Sequence, residues 1–406
     1  MELNSICKKS FNNKKHLARI EKIKSAFIEN EGYNPTHLFS SPGRAEILGN
    51  HTDHNNGLVM VSTISCDILA VVSKTNDNVV KICSDEYPTV TVDLSNLEVD
   101  KNEYGLSQAL VRGIYKKISE LGYQAKGFTA YTNSTIFKGA GVSSSAAFEV
   151  LVCEILNVLY LNGALSEIDK AIISQYAENV YFGKPCGLLD QSGISIGSLV
   201  KIDFENPTLP IVEKLSLPDG YTLVITNTGG NHAELTEHYA SIRKEMETIS
   251  NFFGKKVLRE VDKKDFIKNL PSLKRRFSGR AILRALHYFN ENERVLTAQN
   301  ALVQNDFKSF LQAVNESGLS SLTLLQNCYV PGDVMQPIVL AIETSKEIIK
   351  DGAVRVHGGG FAGSIIAIVN DSEVKSYVAV MKNLFGAKNV FDSQVRKFGT
   401  VLVEKF

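Results

Sequence analysis

Apolar residues repeat at helical spacing near the start of the chain. Leu17, Ile20, Ile23, Ala26 and Phe27 recur every three or four positions between charges, which predicts a helix over 15–30. The stretch 38–56 has no such rhythm and reads as extended and loop-rich. Three β-like runs follow, 67–73, 79–83 and 90–94, separated by turn residues such as Asn76-Asp77 and Pro88. A meander is the simplest connection between them. Helical spacing returns over 106–121. A strand, 127–133, then runs into a Gly/Ser loop, and an apolar helix is predicted from about 144 to 161. Beyond residue 199, strands (199–204, 222–226) mix with amphipathic helices near 233–253, 280–303, 306–317 and 334–350. The end reads strand, helix, strand (363–369, 372–385, 399–403).

This order is α+β rather than a regular βαβ array. No internal repeat or low-complexity linker appears. The 406 residues suffice for two domains, with the division placed near residue 195, so 1–195 and 196–406. Lys+Arg and Asp+Glu are both 44, a net charge of zero. That removes the basic excess expected of a nucleic-acid or anionic-membrane binder. The six cysteines (Cys7, Cys66, Cys83, Cys153, Cys186, Cys328) form no C-x-x-C pair, so neither a disulfide scaffold nor a zinc site is expected. The polar N-terminus does not read as a secretory signal, and no apolar run approaches the ~18 residues of a membrane span. A cytoplasmic enzyme is the expectation.

Four segments carry candidate chemistry. The first is Lys138-Gly139-Ala140-Gly141-Val142-Ser143-Ser144-Ser145-Ala146-Ala147, between a strand and a helix. Glycines allow close backbone approach. A helix start offers free N–H groups and the positive end of a dipole, which suits phosphate. Serine hydroxyls add ligands for phosphate or Mg²⁺. It is neither a Walker A loop nor a dinucleotide fingerprint. The plain alternative is a flexible turn with a serine N-cap.

The second segment, 42–57, crowds Arg44, Glu46, Asn50, His51, Asp53, His54, Asn55 and Asn56 together. So many short polar groups suit a polyhydroxylated ligand. The alternative is a metal on the His-x-Asp-His cluster. The third, Gly183 to Gln191, sets Asp190 in an apolar, glycine-rich turn, as a buried carboxylate or as a helix N-cap. The fourth is His357-Gly358-Gly359-Gly360-Phe361-Ala362-Gly363, ahead of an apolar strand, where dense glycine implies close packing or a ligand edge. A further pair, His232 and His238, mimics a metal spacing. On a helix the two lie roughly 120° apart at about 100° per residue, so no metal is expected there.

Taken together and in this order, the four segments resemble the GHMP kinase superfamily and, within it, the galactokinases, over nearly the full chain. The family's motifs read P-G-R-x-N-[LI]-I-G-E-H-x-D-Y, G-x-G-L-S-S-S-A, C-G-[IL]-x-D-Q and G-G-G-F-G-G. The resemblance implies a two-domain fold, an N-terminal mixed-sheet domain and a C-terminal α/β domain, with the active site between them. It implies transfer of a phosphoryl group from ATP, with Mg²⁺, to the C1 hydroxyl of galactose.

By position, Asp190 matches the catalytic aspartate and Arg44 its partner. Gly139, Gly141, Ser143, Ser144, Ser145 and Ala146 match the ATP loop, and Ser145 and Glu178 match the metal positions. Asn50, His51, Asp53, Gly187 and Tyr239 fall at the sugar positions. The implied partners are the sugar and ATP alone, with no nucleic acid and no membrane, in a monomer or weak homodimer. With no tryptophan in the chain, a ring over the adenine must be Tyr, Phe or His.

Two departures stand out. The family's Asn is Glu46 here, and its sugar-binding Glu is Asn50. The two groups have traded places four residues apart, which predicts that their side chains touch. The competing readings are a kinase of this architecture for another sugar, and a non-catalytic sugar sensor that keeps the fold.

Overall fold

A computed structural model describes residues 10–85, 87–136, 141–229, 235–361 and 363–406. The predicted first helix runs Lys14–Glu31, capped by Asn13 and closed by Gly32 in the left-handed region. Twelve strands follow among the described residues: β1 His37–Leu48, β2 Leu58–Lys74, β3 Val79–Ser84, β4 Val90–Asp93, β5 Phe128–Ser134, β6 Leu199–Asp203, β7 Ile211–Leu215, β8 Tyr221–Asn227, β9 Gly352–His357, β10 Ser364–Asn370, β11 Val390–Ser393 and β12 Val401–Lys405.

The first sheet has the order β12-β1-β2-β5-β3-β4, with β6 and β7 continuing from β2. The segment 38–56, expected to be extended and loop-rich, opens with β1, twelve residues buried almost throughout. A strand covered on both faces loses the alternation that marks a half-exposed one, so its polar residues mislead. The expected meander holds for β3 and β4, which pair antiparallel, but not for β2 and β3. β5 lies between β2 and β3 and pairs parallel with β3. Phe128 and Ala130 face the main core while Tyr131 faces Ile23 and Phe27 of the first helix, so β5 is covered on both faces.

The second sheet, β11-β8-β10-β9, is antiparallel throughout. Helices Pro337–Ile348 and Asp371–Phe385 pack Ile338, Ile342, Tyr377 and Met381 against Val224, Val354 and Ile365. Its other face shares one continuous apolar cluster with the first sheet, joining Leu223, Ile225 and Ile366 to Phe310, Val314, Met60 and Ala147. β6 and β7 extend the first sheet as far as Leu215, and β12 returns to its edge. This shared core holds β1, β9 and the helix Leu189–Ile196 against one another through Ile47, Ala353 and Ile194.

Candidate active site

Arg44 stands on β1 beside a register shift between Pro42 and Arg44, the kind of bulge that re-aims a side chain. Its guanidinium grips Asp190 with both prongs, Nε to Oδ1 at 2.6 Å and Nη2 to Oδ2 at 2.7 Å. Nη1 donates to the carbonyl of Gly141. Such a fork adds direction to charge. Asp190 is not the N-cap of its helix, as one reading had it. It occupies the first turn of Leu189–Ile196, where the dipole favours an anion.

Ser143 does hold the N-cap position of helix Ser144–Leu159, with φ +58°, yet its hydroxyl caps nothing. It donates to Asp190 Oδ2 instead. Desolvation pushes the Asp190 carboxyl up, but the Arg44 charge, the Arg44 hydrogen bonds and the Ser143 hydroxyl outweigh it. The net effect holds the group below the usual aspartate range.

A second acidic group lies beneath the same helix start. Ser145 Oγ donates to Glu178 Oε1 at 3.3 Å. Glu178 stands on a widened, π-helical turn, Ala177–Phe182, which continues helix Glu167–Tyr176 and carries the carboxylate inward. Lys184 Nζ reaches Glu178 Oε1 at 2.9 Å, and Gln191 Nε2 donates to Glu178 Oε2 at 2.8 Å and to Glu149 Oε2 at 3.1 Å. Burial, then the nearby Glu178, push the Glu149 carboxyl well above its ordinary range. Glu149 was not among the expected site residues. Its spacing from Ser145, four positions along one helix face, is the signal that finds it.

The polar segment after β1 forms a third cluster. Asn50 is fully buried, and both its amide hydrogens and both its carbonyl positions are taken. Nδ2 donates to Glu46 Oε1 and to Gly358 O, each at 2.8 Å, while Oδ1 accepts from Asn327 at 2.8 Å and Ser321 at 3.2 Å. The expected contact between the exchanged residues is therefore formed. The expectation that Asn50 faces the sugar is corrected, because no position is left to offer a ligand. Glu46 also accepts from the buried Arg355 at 2.9 Å. Burial pushes the Glu46 carboxyl up to about 7 against the pull of that cation.

His51 donates from Nε2 to Gly359 O at 3.0 Å, since a carbonyl can only accept. Its Nδ1 then accepts from His54 Nε2 at 3.4 Å, and His54 Nδ1 from Asn55 at 3.2 Å. Desolvation draws His51 down to about 4. Asp53 accepts from Leu189 N at 3.3 Å. Burial, then Asp190, raise its carboxyl to about 6. A methyl group on Gly187 would come within 1.7 Å of Asp53 Oδ2, so only glycine lets that carboxylate reach the helix Leu189–Ile196. Tyr239 donates to Gly360 O at 3.0 Å and packs its ring against Gly359.

Arg44, Asp190, Gly141, Ser143, Ser145 and Glu178 thus converge, with His51, Asp53, Gly187 and Tyr239 grouped beside them. Ser144 is exposed at the first position of its helix, and Ala146 is buried behind it. Lys138, Gly139, Ala140, His232, Glu234 and Ala362 lie outside the described residues. Among the described residues no group of His, Cys, Asp and Glu assembles as a metal cluster, so the His-x-Asp-His alternative gains nothing. No helix of the described residues is long and apolar enough to cross a membrane.

The chain matches the galactokinase galactose-binding signature over residues 25–74 and the GHMP kinases N terminal domain over 109–198. A galactokinase from Clostridium perfringens is 32% identical over 368 residues, 88% of this chain and 91% of the relative. The chain belongs to the galactokinase family. A second member, from Actinobacillus pleuropneumoniae, is 31% identical across 86% of this chain and 89% of its own. The galactokinase of Lactococcus lactis, solved with galactose, superimposes with a TM-score of 0.82 at 25% identity, covering 94% of this chain and 99% of its own. A Methanococcus jannaschii mevalonate kinase shares the fold at 13% identity and a TM-score of 0.60. The two-domain GHMP kinase architecture expected from the motifs is therefore the architecture of this chain.

Proposed function

We propose that this chain transfers the γ-phosphoryl group of ATP to the C1 hydroxyl of galactose. The observation that carries this reading is Asp190, held by both prongs of Arg44 and by Ser143 of the glycine–serine loop, at the start of helix Ser144–Leu159. One carboxylate there faces both a phosphate-binding helix end and a polar sugar cluster.

The roles follow from the chemistry. Phosphoryl transfer of this kind is loose and needs positioning and charge neutralisation more than a strong base. Asp190, held ionised, is too weak a base to strip a sugar hydroxyl in advance. It orients that hydroxyl and accepts its proton as the bond to phosphorus forms. Arg44 keeps Asp190 anionic and offsets negative charge on the moving group. His51, Asp53 and Tyr239 hold sugar hydroxyls, and Gly141 and the serines hold the phosphates.

Ser145 Oγ and the Glu178 carboxylate are hard oxygen donors 3.3 Å apart, which fits Mg²⁺. Lys184, with 59% of its side chain exposed, is free to leave Glu178 to the ion. Bound there, the ion would neutralise phosphate charge.

The test is ADP release over a panel of hexoses, hexosamines and mevalonate, with galactose expected to turn over fastest. The inward-facing Asn50 favours a second reading, in which the same site prefers another sugar, and the same panel separates the two. ADP release with no sugar in the panel would leave only a sugar-binding role.

A further inference from the structure

His357 ends β9, side by side with Ser364 of β10, and is buried to within 2%. Its Nε2 lies 3.2 Å from the backbone nitrogen of Glu46. A backbone N–H can only donate, so Nε2 carries the lone pair. Desolvation, then Arg44 and Arg355, draw the ring's basicity well down, so the imidazole is neutral. Its one proton is therefore on Nδ1. Among the described residues that N–H has no hydrogen-bond partner.

A buried donor left unpaired is destabilising, and native proteins rarely keep one without a use. What covers Nδ1 is Gly141. A methyl group there would approach Nδ1 to 3.3 Å and Ser364 Oγ to 3.4 Å. Gly141 has φ +69°, and its carbonyl accepts from Arg44. A methyl on Gly358, next in sequence, would come within 3.8 Å of Arg44 Nη2. The spare donor thus lies beside the guanidinium that holds Asp190, under a glycine of the phosphate loop. Two arginines bias this corner toward an oxyanion, and a neutral N–H adds direction without a further charge.

We propose that His357 Nδ1–H donates a hydrogen bond to an oxygen of the transferred phosphoryl group, a contact completed when the nucleotide displaces Gly141. This rests on the kinase reading above. The motif drew attention to its glycines, and the histidine at its head is the residue with chemistry to spare.

Two substitutions separate this role from a structural one. In His357→Gln the side-chain oxygen still accepts from Glu46 N–H, and the amide nitrogen reaches the depth of Nε2 rather than of Nδ1, so no donor sits at the former Nδ1 position. In His357→Asn a donor remains near Nδ1, while Glu46 N–H loses its acceptor. The glutamine variant is expected to lose kcat on the order of 10²-fold, with galactose affinity within about twofold of wild type by calorimetry and Tm nearly unchanged. The asparagine variant should keep kcat within about tenfold of wild type and lose Tm instead. The opposite ranking, or wild-type kcat in both variants, overturns the proposal.

A measurement on the unaltered enzyme guards against misfolded variants. With ¹⁵N-labelled histidine, the Nδ1–H proton should move downfield when MgADP, aluminium fluoride and galactose are added together. A resonance that stays in place overturns the contact. Failure of the kinase reading is distinguishable, because wild-type protein would then release no ADP with any sugar.

Discussion

Asp190 and Asn50 are both held by buried partners, yet they are left in opposite states. Asp190 keeps 34% of its side chain exposed, and three donors from Arg44 and Ser143 hold it as an anion. Asn50 is wholly enclosed, with every hydrogen-bonding position filled from β1, the turn after β9 and the segment around Ser321 and Asn327. One end of the site is charged and open, and the other is saturated and closed. The difference separates two uses of buried polarity. At the open end it prepares a group for a substrate, and at the closed end it ties three segments of chain into a fixed wall.

The largest effect should come from the open end. Asp190→Asn is expected to lower kcat by on the order of 10³-fold or more, since it removes both the proton acceptor and the partner of Arg44. Galactose affinity, read by calorimetry, should survive. A variant within tenfold of wild type would mean that another group takes the proton.

The closed end predicts coupling in place of loss of chemistry. Asn50→Glu alone sets two carboxyls together, and Glu46→Asn alone strands the buried Arg355 without its carboxylate. The double exchange restores one amide–carboxylate pair. It should be less damaging than either single change, with an interaction energy of about 0.5–3 kcal/mol in denaturant unfolding. Strict additivity would show that the contact carries no energy.

The smallest effect is a pH dependence from the buried histidines around the wall. His51, drawn down to about 4, and His54, His287 and His357, all lowered by desolvation, have folded values below their unfolded value of 6.5. Their contribution is fully present above pH 6.5. It is lost as pH falls toward 4, because the unfolded chain then binds more protons. Tm should fall through that window, and His51→Gln should shallow the slope. A Tm independent of pH there would mean that the ring charges without cost.

Much of this was legible in the chain. The spacing of apolar residues placed the helices Lys14–Glu31, Ser107–Glu120, Gly279–Val303 and Asp371–Phe385 to within a few residues, because an amphipathic helix writes its period directly into sequence. Asp190, Arg44 and Ser143 were singled out for a different reason: each segment alone has a plain structural reading, and only the order of the four motifs and the family they resemble drew these residues together. β1 was read only as part of an extended, loop-rich stretch because a strand covered on both faces has no alternation. β9 was missed because a six-residue run containing Arg355 and His357 looks polar until its partners are known.

The residues alone determined the helices, the glycine–serine segment ahead of the helix Ser144–Leu159 and the exchange of amide and carboxylate at 46 and 50, since each depends on neighbours within a few positions. Tertiary structure alone decided that Asn50 turns inward, that Ser143 leaves its cap for Asp190, and that the imidazole of His357 keeps an unspent proton under Gly141. Each of those depends on a partner tens to hundreds of residues away, and local spacing carries no record of which distant donor arrives first.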